Sequence, residues 1–133
     1  GMRSESWLKV KLTRTQEVVV AGIRPGQGGR AHTFGSLLLG IPGEDGLRYA
    51  GRVGTGFSDR ELRALQERLA PLATDRNPLV GVPAADTRGV QWVRPELVAE
   101  VEFGEFTPTG ILRHSRWRGL RPDKAPEDVV RED

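Results

Sequence analysis

Between residues 113 and 124 the chain reads Arg-His-Ser-Arg-Trp-Arg-Gly-Leu-Arg-Pro-Asp-Lys, five basic residues in twelve with Asp123 the single acid. Cations this dense repel one another unless an anion lies among them. Arginine forks suit phosphate oxygens in bidentate geometry, and a lysine adds a compact point charge. The segment therefore reads as a phosphate-facing edge, with Trp117 and Leu120 as the apolar residues that would fix it to a core. A solvated basic strand end would carry the same charges.

Other chemistry is thinner. Cysteine is absent, which excludes disulfides and thiolate metal sites, and His32 and His114 stand far apart with no ligand-like cluster, so no metal site is expected. Glu96, Glu100, Glu102 and Glu105 alternate with aliphatics and read as a solvated sheet face rather than metal ligands. Gly26-Gln-Gly-Gly29 lacks the Lys-Ser/Thr of a P-loop and reads as a hairpin turn. Gly54-Thr-Gly56 precedes a helix start, where an anion could bind, but nothing basic follows at P-loop spacing and a tight strand-to-helix turn is the better reading. With aromatics at 6%, Trp92 and Trp117 read as core residues rather than base-stacking platforms. His114 has no acid or serine in register for catalysis.

The frame that must position these residues is small. A chain of 133 residues, 37% hydrophobic and 29% charged, fits one soluble domain with a single core. No apolar run is long enough to cross a bilayer and no signal-peptide pattern opens the chain. The Gly1-Met2 start suggests a tag remnant ahead of a piece cut from something larger. Net charge is +2, but residues 1–30 are strongly basic, 96–105 acidic, 113–124 basic and 127–133 acidic again, which argues for one basic face. Of 20 basic residues 17 are arginine, a bias that a GC-rich genome would produce as readily as phosphate binding.

Strand patterns dominate the order of elements. Residues 17–23 are rich in valine and end at the turn-forming run Arg24-Pro-Gly-Gln-Gly-Gly-Arg30; 34–41 and 47–53 follow as strands around the loop Pro42–Gly46. Ser58-Asp-Arg-Glu61 is a capping box, and Leu62, Leu65, Leu69 and Leu72 recur at helical spacing until Pro71 stops the helix near Leu69, leaving Arg60, Arg63, Glu67 and Arg68 on the wet side. Residues 73–89 read as loop, 90–93 as a short strand, 97–103 as an alternating strand, and 111–117 as a last strand leading into the basic stretch. Three strands, a helix, then two or three strands predict a mainly β chain: an OB-fold, a five-stranded Greek-key barrel with one helix between strands 3 and 4.

With these elements in place the chain resembles the C-terminal OB-fold domain of ATP-dependent DNA ligases, and is most similar to that of bacterial end-joining ligase D. Trp7-Leu-Lys-Val-Lys11 looks like the fifth nucleotidyltransferase motif, and Arg118-Gly-Leu-Arg-Pro-Asp-Lys124, followed by Ala-Pro126, looks like the sixth. Gly51-Arg-Val-Gly-Thr-Gly-Phe57 and Arg94-Pro-Glu-Leu-Val-Ala-Glu-Val101 are similar to segments flanking the helix in that domain. The likeness runs over residues 4–131 in the family's order. It implies that residues 1–15 are the end of the nucleotidyltransferase domain and 16–133 the OB-fold domain.

The resemblance also implies a reaction. A lysine in a Lys-x-Asp-Gly motif takes AMP from ATP, passes it to a 5′-phosphate, and a 3′-hydroxyl displaces AMP. The only lysines here are Lys9, Lys11 and Lys124, none followed by x-Asp-Gly, so the chain alone should be inactive. By resemblance, Arg121 and Lys124 orient the departing pyrophosphate with Asp123 holding one of them, and Lys9 and Lys11 meet nucleotide and DNA phosphates. Arg14, Arg24, Arg30, Arg52, Arg113 and Arg116 are the candidates for duplex contact, mainly to backbone phosphates. Arg48 and Arg88 read as exposed arginines without a partner.

ATP with Mg2+ or Mn2+ is implied for the full-length enzyme and no cofactor for this domain alone. The implied partners are nicked or broken duplex DNA and the catalytic domain of the same polypeptide, with no membrane. An isolated domain is expected to be monomeric, in a bacterial cytoplasm and associated with the nucleoid. The competing reading is a free-standing OB-fold module that binds DNA or RNA without nucleotidyl chemistry, but such a binder has no need of a terminal Arg-x-Asp-Lys.

Overall fold

The computed structural model describes residues 14–25 and 34–132, Phe34 by its backbone alone. Lys9, Lys11, Arg30, Trp7, His32 and the Gly26–Gly29 run lie outside the described residues. Three long strands open the fold as an antiparallel meander: β1 (Arg14–Pro25), β2 (Phe34–Gly43) and β3 (Gly46–Val53). Arg14 and Thr15 already pair with Phe103 and Glu102 as part of β1.

The helix α1 (Asp59–Leu69) starts on the capping box: the Glu61 N–H donates to Ser58 Oγ at 3.1 Å and the Ser58 N–H donates to Glu61 Oε1 at 2.9 Å. The capping box thus occupies two of the donors that an anion at this terminus would otherwise use. Leu62, Leu65 and Leu69 are buried, and Pro71 lies in a 3₁₀ turn (Ala70–Leu72) that carries Leu72 into the same core.

The stretch expected as plain loop holds more structure than its composition indicated. It carries β4 (Ala73–Thr74), β5 (Leu79–Val80) and a 3₁₀ turn (Ala84–Thr87) before β6 (Gln91–Val93). β5 adds in parallel to β3, and β6 pairs with both β4 and β1. These short pieces cover the outer face of the meander, where Ala21, Leu38, Tyr49 and Leu79 form a small cluster joined by Val90 and Trp92. The main cluster takes the alternate residues, among them Leu37, Leu39, Ala50 and Val53. Both faces of the central stretches of β1 and β2 are therefore dry, and Val18-Val19-Val20 and Leu37-Leu38-Leu39 are unbroken apolar runs for that reason.

After β7 (Val98–Phe103) and the small hairpin β8 (Glu105–Phe106) with β9 (Leu112–Arg113) comes β10 (Arg116–Leu120). The single strand expected over 111–117 is broken at His114, whose φ of 60° places it in the left-handed region and turns the chain between β9 and β10. The ladder runs β10-β7-β1-β2-β3-β5, which is the strand order of an OB-fold with β5 added.

The expected barrel is not closed by a ladder. The Trp117 N–H donates to Thr55 O at 2.9 Å and Ser115 Oγ donates to Arg52 O at 2.8 Å, joining β10 to the end of β3. Gly56 makes room for this seam: at its φ of 95° a Cβ would stand 2.7 Å from Trp117 O. Trp117, 4% exposed, stacks on Phe57 with ring centroids 4.9 Å apart, and Trp92 packs in the outer cluster, so both are core residues as expected.

The acidic C-terminal segment is a strap. Gln16, 1% exposed, donates from Nε2 to Val130 O at 2.7 Å and accepts the Glu132 N–H on Oε1 at 2.8 Å, so one side-chain amide does what a backbone partner would. Val129 is buried beside it, and Arg131 lies over Phe106.

Candidate functional site

β10 carries the basic stretch along β7 with a bulge. Trp117 faces Val101, yet Gly119 faces Glu100, leaving Arg118 as the extra residue. Bulges bend a strand and re-aim its side chains, and this one turns Arg118 onto the acids of β7. Its guanidinium lies 2.7 Å from Glu102 and 3.5 Å from Glu100. Beyond the strand, the Arg121 N–H donates to Val98 O at 2.8 Å and the Lys124 N–H to Arg121 O at 3.1 Å, a turn around Pro122 that sets Arg121, Asp123 and Lys124 beside one another.

Asp123 holds Arg121 in a two-pronged grip: Nε to Oδ1 at 3.2 Å and Nη2 to Oδ2 at 3.0 Å. That hydrogen-bonded guanidinium lowers the Asp123 carboxyl below the usual carboxylate range, with a backbone hydrogen bond adding to the effect. Reciprocally, the Asp123 carboxylate raises the Arg121 pKa above its already high ordinary value. The pair stays charged together across any physiological pH.

The edge is not a bare cationic surface. Glu17 on β1 sits directly across the ladder from Glu100 on β7, a like-charge pairing that destabilises a sheet unless cations intervene. Here they do: Arg121 Nη1 is 3.0 Å from Glu17 Oε2 and 3.8 Å from Glu100 Oε2, while Lys124 Nζ is 3.5 Å from Glu17 Oε1. Arg118, Arg121 and Lys124 thus face Glu17, Glu100, Glu102 and Asp123: three cations against four carboxylates, a formal net −1. Of the acids expected to be a solvated face, Glu100 and Glu102 are instead partners of the basic stretch, while Glu105 pairs with Arg113 and Glu96 with Arg94 at exposed positions. Arg121 and Lys124 remain 32% and 37% exposed, so an outside anion can reach them, whereas Glu17 is 15% exposed.

A cleft of about 120 Å³ opens beside them, lined by Arg68 of α1, Glu96, Leu97, Leu120, Arg121 and Lys124 among others. Ligand pockets for whole organic molecules run to several hundred Å³. This one is too small for a complete nucleotide.

A second arginine-rich region lies on the outer face of the meander. It is an open groove of about 860 Å³ whose lining includes Ser36, Arg48, Tyr49, Arg52, Asp86 and Thr109. The Tyr49 hydroxyl donates to Asp86 Oδ2 at 3.1 Å, and Arg24 Nη1 lies 3.7 Å from Asp86 Oδ1. Burial, with the neighbouring Asp86 charge and hydrogen bond second, pushes the Tyr49 phenol up to about 12.

The duplex candidates therefore do not share one patch. Arg52 lines this groove and Arg24 sits on its Asp86 wall. Arg14 is held at the strap, 4.8 Å over the Phe103 ring and 3.4 Å from Glu132 O. Arg113 pairs with Glu105 at 3.5 Å on β9, and Arg116 is exposed at the start of β10. Arg48, set aside on sequence, pairs with Asp45 at 3.4 Å and lines the same groove as Arg52; both project from β3, a placement its alternation alone could not show. Among the described residues no cluster of three or more His, Asp or Glu is placed to hold a metal ion. No described helix is long and apolar enough to cross a membrane.

The family model for the ATP dependent DNA ligase C terminal region matches residues 30–124, more than half of the chain. The chain belongs to that family. The ligase relatives include the multifunctional non-homologous end joining DNA repair protein LigD of Mycobacterium tuberculosis H37Rv, 59% identical over 133 residues that make up 99% of this chain and 18% of the relative. The fold is similar to the crystal structure of the ligase domain from M. tuberculosis LigD, with a TM-score of 0.84 at 59% identity over 90% of this chain and 39% of that one. It is also similar to mycobacterial DNA ligase D complexed with ATP and MES, with a TM-score of 0.79 at 58% identity over 90% and 38% of the two chains. The ligase family assignment covers both the edge and the groove. The chain spans about a fifth of the length of its LigD relative.

Proposed function

We propose that this chain is the closing lobe of an end-joining, ATP-dependent DNA ligase, and that residues 118–124 are the part that meets ATP. The Arg121–Asp123 grip with Lys124 alongside carries this reading, because it sets two positive charges side by side at an edge that solvent reaches. When a lysine elsewhere attacks the α-phosphorus of ATP, the bond to pyrophosphate breaks and negative charge grows on the leaving group. Arg121 and Lys124 neutralise that charge, and Asp123 keeps the Arg121 fork aimed. Positioning and electrostatics dominate such transfers.

The small cleft supports a division of labour. The base and ribose are held by the catalytic domain, and this lobe covers the phosphates. Lys9 and Lys11 would meet the nucleotide and DNA phosphates. Mg2+ or Mn2+ would belong with carboxylates of the catalytic domain. After adenylation the lobe clasps nicked or broken duplex, with Arg24 and Arg52 in the groove as the favoured contacts and Arg14, Arg30, Arg113 and Arg116 as further ones. The setting is the bacterial nucleoid.

The test is adenylation of a ligase catalytic domain with this chain supplied in trans or fused. Arg121→Ala and Lys124→Ala should each slow lysine adenylation by about 10²- to 10³-fold, the scale of losing one donor to a developing oxyanion. Unchanged rates in both variants would sink the leaving-group role.

A further inference from the structure

Glu17 presents its carboxylate to both Arg121 and Lys124. Its two oxygens are divided between the two cations assigned to pyrophosphate, Oε2 to Arg121 at 3.0 Å and Oε1 to Lys124 at 3.5 Å. A phosphate group would meet the same two side chains with one oxygen each. The position is fixed because Glu17 sits within β1, paired across to Glu100, with Gln16 and Val18 buried on either side. No sheet gains stability from two glutamates face to face, so this acid is not explained by strand pairing.

We propose that Glu17 is a positioning residue that occupies the polyphosphate-binding ends of Arg121 and Lys124 until a polyphosphate displaces it. The inference rests on the reading of residues 118–124 as a phosphate edge and adds an internal competitor to it. With Glu17 in place the cluster is formally −1 and repels a polyanion. The two cations must swing from Glu17 to phosphate as the lobe closes, while the Asp123 grip travels with Arg121. Glu17 therefore keeps the edge aligned yet weakly binding when no nucleotide is presented. It also gives the edge a place to return to after pyrophosphate leaves.

The experiment is a titration of this chain with inorganic tripolyphosphate at fixed ionic strength, followed by calorimetry and amide chemical shifts. Glu17→Gln, which keeps the shape and removes the charge, should bind about 5- to 10-fold tighter than wild type, the scale of one or two partly exposed ion pairs. Glu17→Asp, which keeps the charge, should stay near wild type, whereas a role in packing alone would leave binding unmoved in both. If Glu17→Gln proves unfolded, Glu100→Gln should show a smaller gain in the same direction. Should the neutral variants bind no tighter while Arg121→Ala binds more weakly, the competitor role is wrong and the phosphate edge stands. Should Arg121→Ala and Lys124→Ala both bind as wild type, the phosphate edge itself is wrong.

Discussion

The edge at Arg118–Lys124 and the groove along β3 are both arginine-rich, yet their charges are arranged in opposite ways. At the edge, three cations are interleaved with four carboxylates and each cation has a partner. In the groove, Arg24, Arg48 and Arg52 face only Asp86 and Asp45, and Arg52 makes no ion pair among the described residues. The same residue type therefore serves a stored, directed charge in one place and a standing positive field in the other. A stored charge suits a ligand that arrives once per cycle at a defined point. A standing field suits a long polyanion held at many phosphates at once.

The largest contrast should come from removing charge at each region and assaying both functions. Arg121→Ala with Lys124→Ala should nearly abolish adenylation in a ligase that carries this lobe, while Arg24→Ala, Arg48→Ala and Arg52→Ala together should leave adenylation within about 2-fold of wild type, since they touch no leaving group. The same triple variant should weaken duplex binding and flatten its dependence on log salt by up to about 3, near 0.9 for each phosphate no longer neutralised. If the triple variant binds duplex with the wild-type salt slope, the groove is not the DNA face.

Stability measurements separate the regions at a finer scale. Tyr49→Phe removes a hydrogen bond to a carboxylate and should cost about 1.5 kcal/mol in denaturant unfolding, near the lower limit for hydrogen bonds to charged groups. Because the folded phenol is held up to about 12 while an unfolded one titrates near 10, the unfolded chain loses its proton first as pH rises. Wild type should therefore lose stability between about pH 10 and 12, and the Phe variant should not show that part of the loss.

The smallest effect belongs to Asp123. Its carboxyl is depressed by Arg121, so the stabilisation it provides is present above the unfolded carboxylate pKa and disappears as pH falls through the folded one. Carbon-detected titration of its carboxyl should show the depressed midpoint in wild type. In Arg121→Ala the midpoint should return toward the ordinary value.

Local patterns were readable and long-range pairings were not. The capping box at Ser58 and Glu61 and the leucines behind it specify α1 because every interaction involved lies within a few residues. The order of the main strands follows from the valine and leucine runs and the turn between β2 and β3. Nothing in the sequence near Glu17 says that it will oppose Glu100, because that pairing depends on β7 returning beside β1. The acids of 96–105 alternate as a wet face would, and only the bulge at Arg118 reveals that the wet face is the one the basic stretch covers. Gln16 could not be recognised as the clamp for the C-terminal strap, since a polar residue in a strand ordinarily faces water. His114 breaks the last strand by a left-handed turn that its residue type permits but does not announce.

On this account Arg121 engages phosphate, and the Glu17 carboxylate keeps that engagement weak. Arginine Nε–Hε resonances followed during titration of the chain with inorganic tripolyphosphate test it directly. The Arg121 signal should move at lower concentrations in Glu17→Gln than in wild type, while those of Arg24 and Arg52 move alike in both. An Arg121 signal that stays static in Glu17→Gln while the groove signals move would contradict it.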